Sequence, residues 1–236
     1  MARFFLVVCG VVLWATPAMA GPGGVFRSPV TWWIVAILAP IAIPIGLYLY
    51  FKERKQVQKT EKDLAYLAAQ YPQYQWLTLR DRVQDTFRWM WSDWSKGKIE
   101  GASQFTTDWY WQNQQLLLDD WESKGLENVC ELHKIYSMKP IYVAHSSDTP
   151  NNEGSRVVVQ INAEVWDFLR EKATGKIVRG EDKVGDLETL WTFLWDGHSW
   201  LLNRIEEGGL SLEYAKIANV IPEVLNKPAG TYNSAE

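Results

Sequence analysis

Cysteine is scarce, with only Cys9 and Cys130 in 236 residues. Two isolated thiols give neither a disulfide framework nor the spacing of a metal site. Cys9 also falls in a stretch expected to be removed as a leader, which leaves one unpaired thiol and fits a reducing compartment. Histidine is nearly as rare. His133, His145 and His198 include no pair at helical ligand spacing, and His198 falls in an Asp-Gly turn. No glycine-rich loop sits between a strand and a helix where it would cradle phosphate, and no Gly-x-Ser-x-Gly elbow occurs. Acid is missing from the first 51 residues, whose only charges are Arg3 and Arg27. All 28 acidic side chains follow, against 22 basic ones, so residues 52–236 carry a net charge of −6. That balance argues against nucleic-acid binding, which shows a basic surface.

What is present is apolar and aromatic. Residues 1–20 combine Arg3, an apolar run from Phe4 to Trp14, and Ala18-Met19-Ala20 before Gly21. This is the pattern of a signal peptide cleaved after Ala20, and residues 21–29 then form a short external tail. From Ser28 to Phe51 there is no charge. A helix over Thr31–Phe51 would be about 31 Å long, enough for a bilayer core, so residues 30–51 are expected to span a membrane. Trp32 and Trp33 at one end, with Tyr48 and Tyr50 at the other, suit the two interfacial belts. Lys52, Arg54 and Lys55 follow at once, with Lys59 and Lys62 beyond. By the positive-inside rule they hold the rest of the chain on the cytoplasmic or equivalent side, whether or not the leader is cleaved.

Residues 52–76 are expected to form a helical stalk, with the folded domain at 77–208 and a tail at 209–236. Leu79, Val83, Phe87, Met90, Trp91 and Trp94 recur at helical spacing, predicting a helix over 78–96 with Thr78 near its N-cap. A second helix starts near Thr106 or Thr107. Tyr110, Gln114, Leu117 and Trp121 share one face, Leu118 widens it, and Gly125 is a suitable stop. Strand composition takes over from Asn128 to Val143, interrupted at Pro140, and again over 156–169. Turn chemistry at Thr174-Gly175 leads into Lys176-Ile177-Val178. Alternation over Leu187–Trp195, a hairpin signal at Asp196-Gly197, and a return strand from Trp200 to Ile205 complete the set. The expected fold is α+β, with N-terminal helices packed on a curved antiparallel sheet of about four strands, forming a cone.

Three motifs carry a resemblance: Gly175-Lys-Ile-Val-Arg-Gly180, Trp191-Thr192-Phe193, and Asp196-Gly197-His-Ser-Trp200 closing at Ile205. Residues 78–206 resemble the Tim forty-four-like domain, a family named for a subunit of the mitochondrial inner-membrane import motor. The resemblance implies a fold similar to the nuclear transport factor two-like and cystatin-like superfamilies. It also implies a protein or lipid partner at a membrane, in protein transport or complex assembly. That import subunit is peripheral, whereas this chain brings its own apolar segment.

No catalytic residue, metal ligand or cofactor is expected. Asp119-Asp120 and Glu206-Glu207 are sequence neighbours whose side chains point apart, and so read as surface charge. The expected function is a non-enzymatic scaffold that holds a protein or lipid partner at the membrane, with its anchor in contact with lipid. Trp91, Trp94, Trp166, Trp191 and Phe193 are the residues that would line a pocket in the cone. The alternative is a small-molecule-binding or isomerase- or dehydratase-like enzyme. It would need an acid such as Asp85 or Glu164 against an apolar wall that raises its pKa.

Overall fold

The computed structural model describes residues 29–95 and 101–222, with side chains described for 38–93 and 101–222. The expected leader and most of the external tail lie outside the described residues. The chain divides into two compact units, residues 1–55 and 56–236, treated separately below.

Helix α1 runs from Pro29 to Ala68 and contains Pro40 and Pro44. Pro29 at its first position costs no hydrogen bond, because the first-turn N–H groups have no helical partner. In the first unit, Ile41, Leu47, Tyr48 and Phe51 each expose more than half their surface. Among the described residues no helix is long and apolar enough to cross a membrane. The side chains of residues 31–37, Trp32 and Trp33 included, lie outside the described residues.

The second unit is an α+β domain whose four strands form one antiparallel sheet in the order β1-β2-β3-β4. Its helices are the end of α1, α2 (Trp76–Ser95), α3 (Asp108–Ser123) and the short α4 (Ser211–Tyr214). The strands are β1 (Leu126–Ala144), β2 (Arg156–Glu171), β3 (Ile177–Trp195) and β4 (Trp200–Glu207). Alternate residues of a strand face opposite sides of the sheet. In β2, Val157, Val159, Ile161, Ala163 and Val165 all join the main core, which also takes in Trp191, Phe193 and Leu202. Leu79, Val83, Phe87, Met90 and Trp91 of α2 pack against them, as the helical spacing requires. Helix α2 starts at Trp76, so Thr78 lies inside its first turn rather than at the cap.

The domain reaches further than the expected 77–208. The compact unit starts at Gln56, and Leu64, Leu67 and Tyr74 are fully buried in the main core. The stretch read as a stalk therefore contributes a core helix. Its apolar spacing at 57, 64 and 67, with the fully buried Thr60 between, was hidden by the lysines around it. At the other end, residues 208–214 form a helical turn and α4, and Val220 adds a short parallel bridge to Ala144.

Pro140 does not break β1. It pairs with Val159, next to a register shift between Pro140 and Tyr142. β1 is an edge strand, where a missing N–H costs no ladder bond. β3 is likewise continuous through Gly180 and Gly185. Gly180 has φ +81°, and a Cβ there would lie 2.6 Å from the Asp167 carbonyl oxygen. Only glycine fits this close crossing of β2 and β3, which gives the Gly-x-x-x-x-Gly motif a local physical reason.

Candidate functional site

The interior that would hold a substrate is filled. Phe87 lies 4.9 Å from Trp191 and 6.0 Å from Trp91 by ring centroid, and Trp191 lies 6.4 Å from Phe193. Trp91, Trp191 and Phe193 are each at most 5 % exposed. Trp191 Nε1 donates to Thr189 Oγ1 at 3.0 Å, so its polar end is satisfied inside the packing. These three expected pocket residues are thus brought together as core. Trp166 is separated from them: it is half-buried, donates from Nε1 to Asp182 Oδ1 at 3.0 Å, and rests on Phe168. The side chain of Trp94 lies outside the described residues. Of the expected interface residues, Tyr48 and Tyr50 are exposed, as are Arg54 and Lys55, and Lys52 is half-buried.

The acids considered for catalysis lack the apolar wall that the role needs. Asp85 is exposed. Glu164 lies on the sheet face away from the main core and accepts a hydrogen bond from Tyr136 Oη. That bond, with the nearby Asp186, raises the Tyr136 pKa. Asp119 accepts from Gln115, Asp120 pairs with Lys124 at 2.7 Å, and Glu206 accepts from Tyr214 Oη at 2.8 Å. Burial, reinforced by Asp167, pushes the Cys130 thiol up to about 12, so it is no thiolate nucleophile at neutral pH. Among the described residues no cluster of histidine, cysteine and carboxylates could hold a metal.

Two surface features adjoin α3. The first is a cleft of about 100 Å³ beside α3, lined by Gln114, Leu117, Leu118, Trp121, Asn128, Asp167 and Arg179. Arg179 lies over the Trp121 ring at 4.9 Å, a cation–π contact. Burial raises the Asp167 pKa, and Arg179 opposes that shift. Asn128 Oδ1 is buried with no hydrogen-bond partner. The cleft therefore joins an apolar wall to an acceptor that lacks a donor. The second feature is the outward side of α3, where Trp109 is 62 % exposed and Leu116 is 68 % exposed. Seven residues apart, they stand on one helical face. Neither was singled out from sequence, although both fall off the Tyr110–Trp121 stripe and could have been found on that ground.

Neither a family model nor a curated protein sequence matches the chain at a significant level. Among solved structures it is similar to the crystal structure of the intermembrane space region of chloroplast protein ARC6. Identity is 12 %, the match covers 53 % of this chain and 92 % of that one, and the TM-score is 0.39. A likeness at that score carries no argument about function. No family model supports the Tim forty-four-like resemblance, and what the structure bears out is an α+β fold with helices ahead of a four-stranded antiparallel sheet.

Proposed function

We infer that this chain is a non-enzymatic binding module tethered to a membrane. The observation that carries the reading is the filled interior. With Phe87, Trp91, Trp191 and Phe193 packed together, recognition falls to the surface, and there the outward side of α3 and the neighbouring cleft offer apolar area with a free acceptor. Aromatic and aliphatic side chains of this kind form the centres of protein interfaces. The partner is a membrane-associated protein, in keeping with the transport or assembly roles that the resemblance implies.

The tether is the uncharged segment 30–51. Its described apolar side chains stand exposed around the helix, an arrangement that costs free energy in water and none in lipid. The basic cluster at Lys52, Arg54 and Lys55 supports, by the positive-inside rule, a domain on the cytoplasmic or equivalent face. Two experiments test this reading. The full-length chain should stay with membranes through an alkaline carbonate wash, and a deletion of residues 30–51 should release it. A photo-crosslinking amino acid at position 109 or 116, introduced in native membranes, should give a discrete protein adduct. Carbonate release of the intact chain would overturn the tether, and adducts with lipid alone would overturn the protein partner. The isomerase- or dehydratase-like alternative would need a buried acid facing a cavity, and neither Asp85 nor Glu164 is placed that way.

A further inference from the structure

The C-terminal end of the described domain is held by a compact set of bonds. Asn219 Oδ1 accepts from the Val143 backbone N–H at 3.1 Å, while its Nδ2 donates to Thr60 Oγ1 at 3.1 Å and Asp63 Oδ2 at 2.7 Å. Val220 N–H donates to the Val143 carbonyl at 2.9 Å, and His145 N–H donates to the Val220 carbonyl at 2.8 Å. One strap thus ties the domain half of α1 to the edge of β1. Gln56 adds a bond from Nε2 to the Ile141 carbonyl at 2.9 Å. The sequence shows none of this, because the partners lie far apart along the chain.

His145 sits at the end of the strap and is only 6 % exposed. Its Nδ1 shares a hydrogen bond with Tyr74 Oη at 2.8 Å, and its Nε2 is buried with no partner. Tyr71 and Tyr74 lie against the ring at centroid distances of 4.5 and 5.6 Å. Trp200 packs behind Tyr74, and Ser155 lies beside its hydroxyl. The titratable groups facing the imidazole are therefore two phenols. The Tyr74 phenol is pushed up to about 12, chiefly by burial, so it supplies no negative charge. Asp63, the strap's carboxylate, is bonded to Asn219 and not to the imidazole. A proton added to His145 would place a cation among rings that offer faces but no counter-charge, with one N–H still unpaired.

We propose that His145 and the Asn219–Val220 strap form an acid-sensitive latch. Protonation of His145 frees the strap from β1 and loosens residues 56–68 while the inner sheet stays folded. The direction of the His145 pKa, lowered by desolvation, agrees with the geometry. The neutral ring is favoured in the folded state, so the latch is closed at neutral pH and weakens as pH falls through about 6.5, the unfolded value.

Hydrogen exchange on the full-length protein in detergent micelles tests the latch, comparing about pH 7.5 with about pH 5.5 after correction for intrinsic rates. In the wild type, peptides over 56–68 and 217–222 should lose at least about tenfold protection at the lower pH, while 189–195 keeps its protection. His145→Gln, neutral at both values, should remove the pH response. Asn219→Ala should expose the same peptides already at pH 7.5 and respond little to acid. It serves as the second variant should His145→Gln fail to protect 189–195. A wild type with no pH response at the strap overturns the latch. So does a His145→Gln variant that responds like the wild type, or an acid loss spread equally over 189–195.

Discussion

Trp191 and Trp109 place the same side chain in opposite settings. Trp191 is 2 % exposed, ringed by Phe87 and Phe193, with its indole N–H bonded to Thr189. Trp109 is 62 % exposed on the outward side of α3, in line with an exposed Leu116. The first setting uses aromatic area to hold the domain together, and the second leaves it facing solvent. On the function proposed above, a domain whose interior is packed with rings and whose surface keeps a tryptophan open divides stability from recognition. Substitutions in the two regions should therefore have different consequences.

The largest effect is expected inside. Trp191→Ala removes a fully buried ring and should cost about 3–5 kcal/mol, read as a lowered denaturant midpoint. Leu64→Ala should cost about 2–4 kcal/mol, because residue 64 belongs to the core and not to a solvated stalk. If Leu64→Ala left the midpoint unchanged, the domain would begin after α1 as the lysine-rich sequence suggested. Gly180→Ala comes next, at about 1–3 kcal/mol, since it forces a side chain onto the Asp167 carbonyl at positive φ. Trp109→Ala should change stability by less than about 0.5 kcal/mol. A large loss at Trp109 would make the exposed ring structural and remove the contrast.

Much of the fold was legible, and the reasons are local. Alternation over Leu187–Trp195 in β3 and the Asp196-Gly197 turn specify strands and a hairpin without reference to distant residues. In the structure Asp196 Oδ1 accepts from the N–H groups of His198 and Ser199, which explains why aspartate stands there. Pro140 misled because a proline reads as a break unless the strand is known to be an edge, and edge position depends on the whole sheet. The core role of Leu64 and Leu67 was masked by neighbouring charge. Trp166 was grouped with Trp91 and Trp191 by composition, yet it sits on the sheet face away from Val165 and Ala163, a matter of register. The His145–Tyr74 pair and the Asn219 contacts depend on tertiary closure, so no local pattern could announce them.

The central claim is that recognition lies on the surface of a domain whose interior is structural. The direct measurement is photo-crosslinking from position 116 in native membranes, comparing the otherwise wild-type chain with Trp109→Glu and monitoring the melting temperature of both. The account predicts an unchanged melting temperature together with loss of the protein adduct. An adduct that persists at full yield in Trp109→Glu would contradict it.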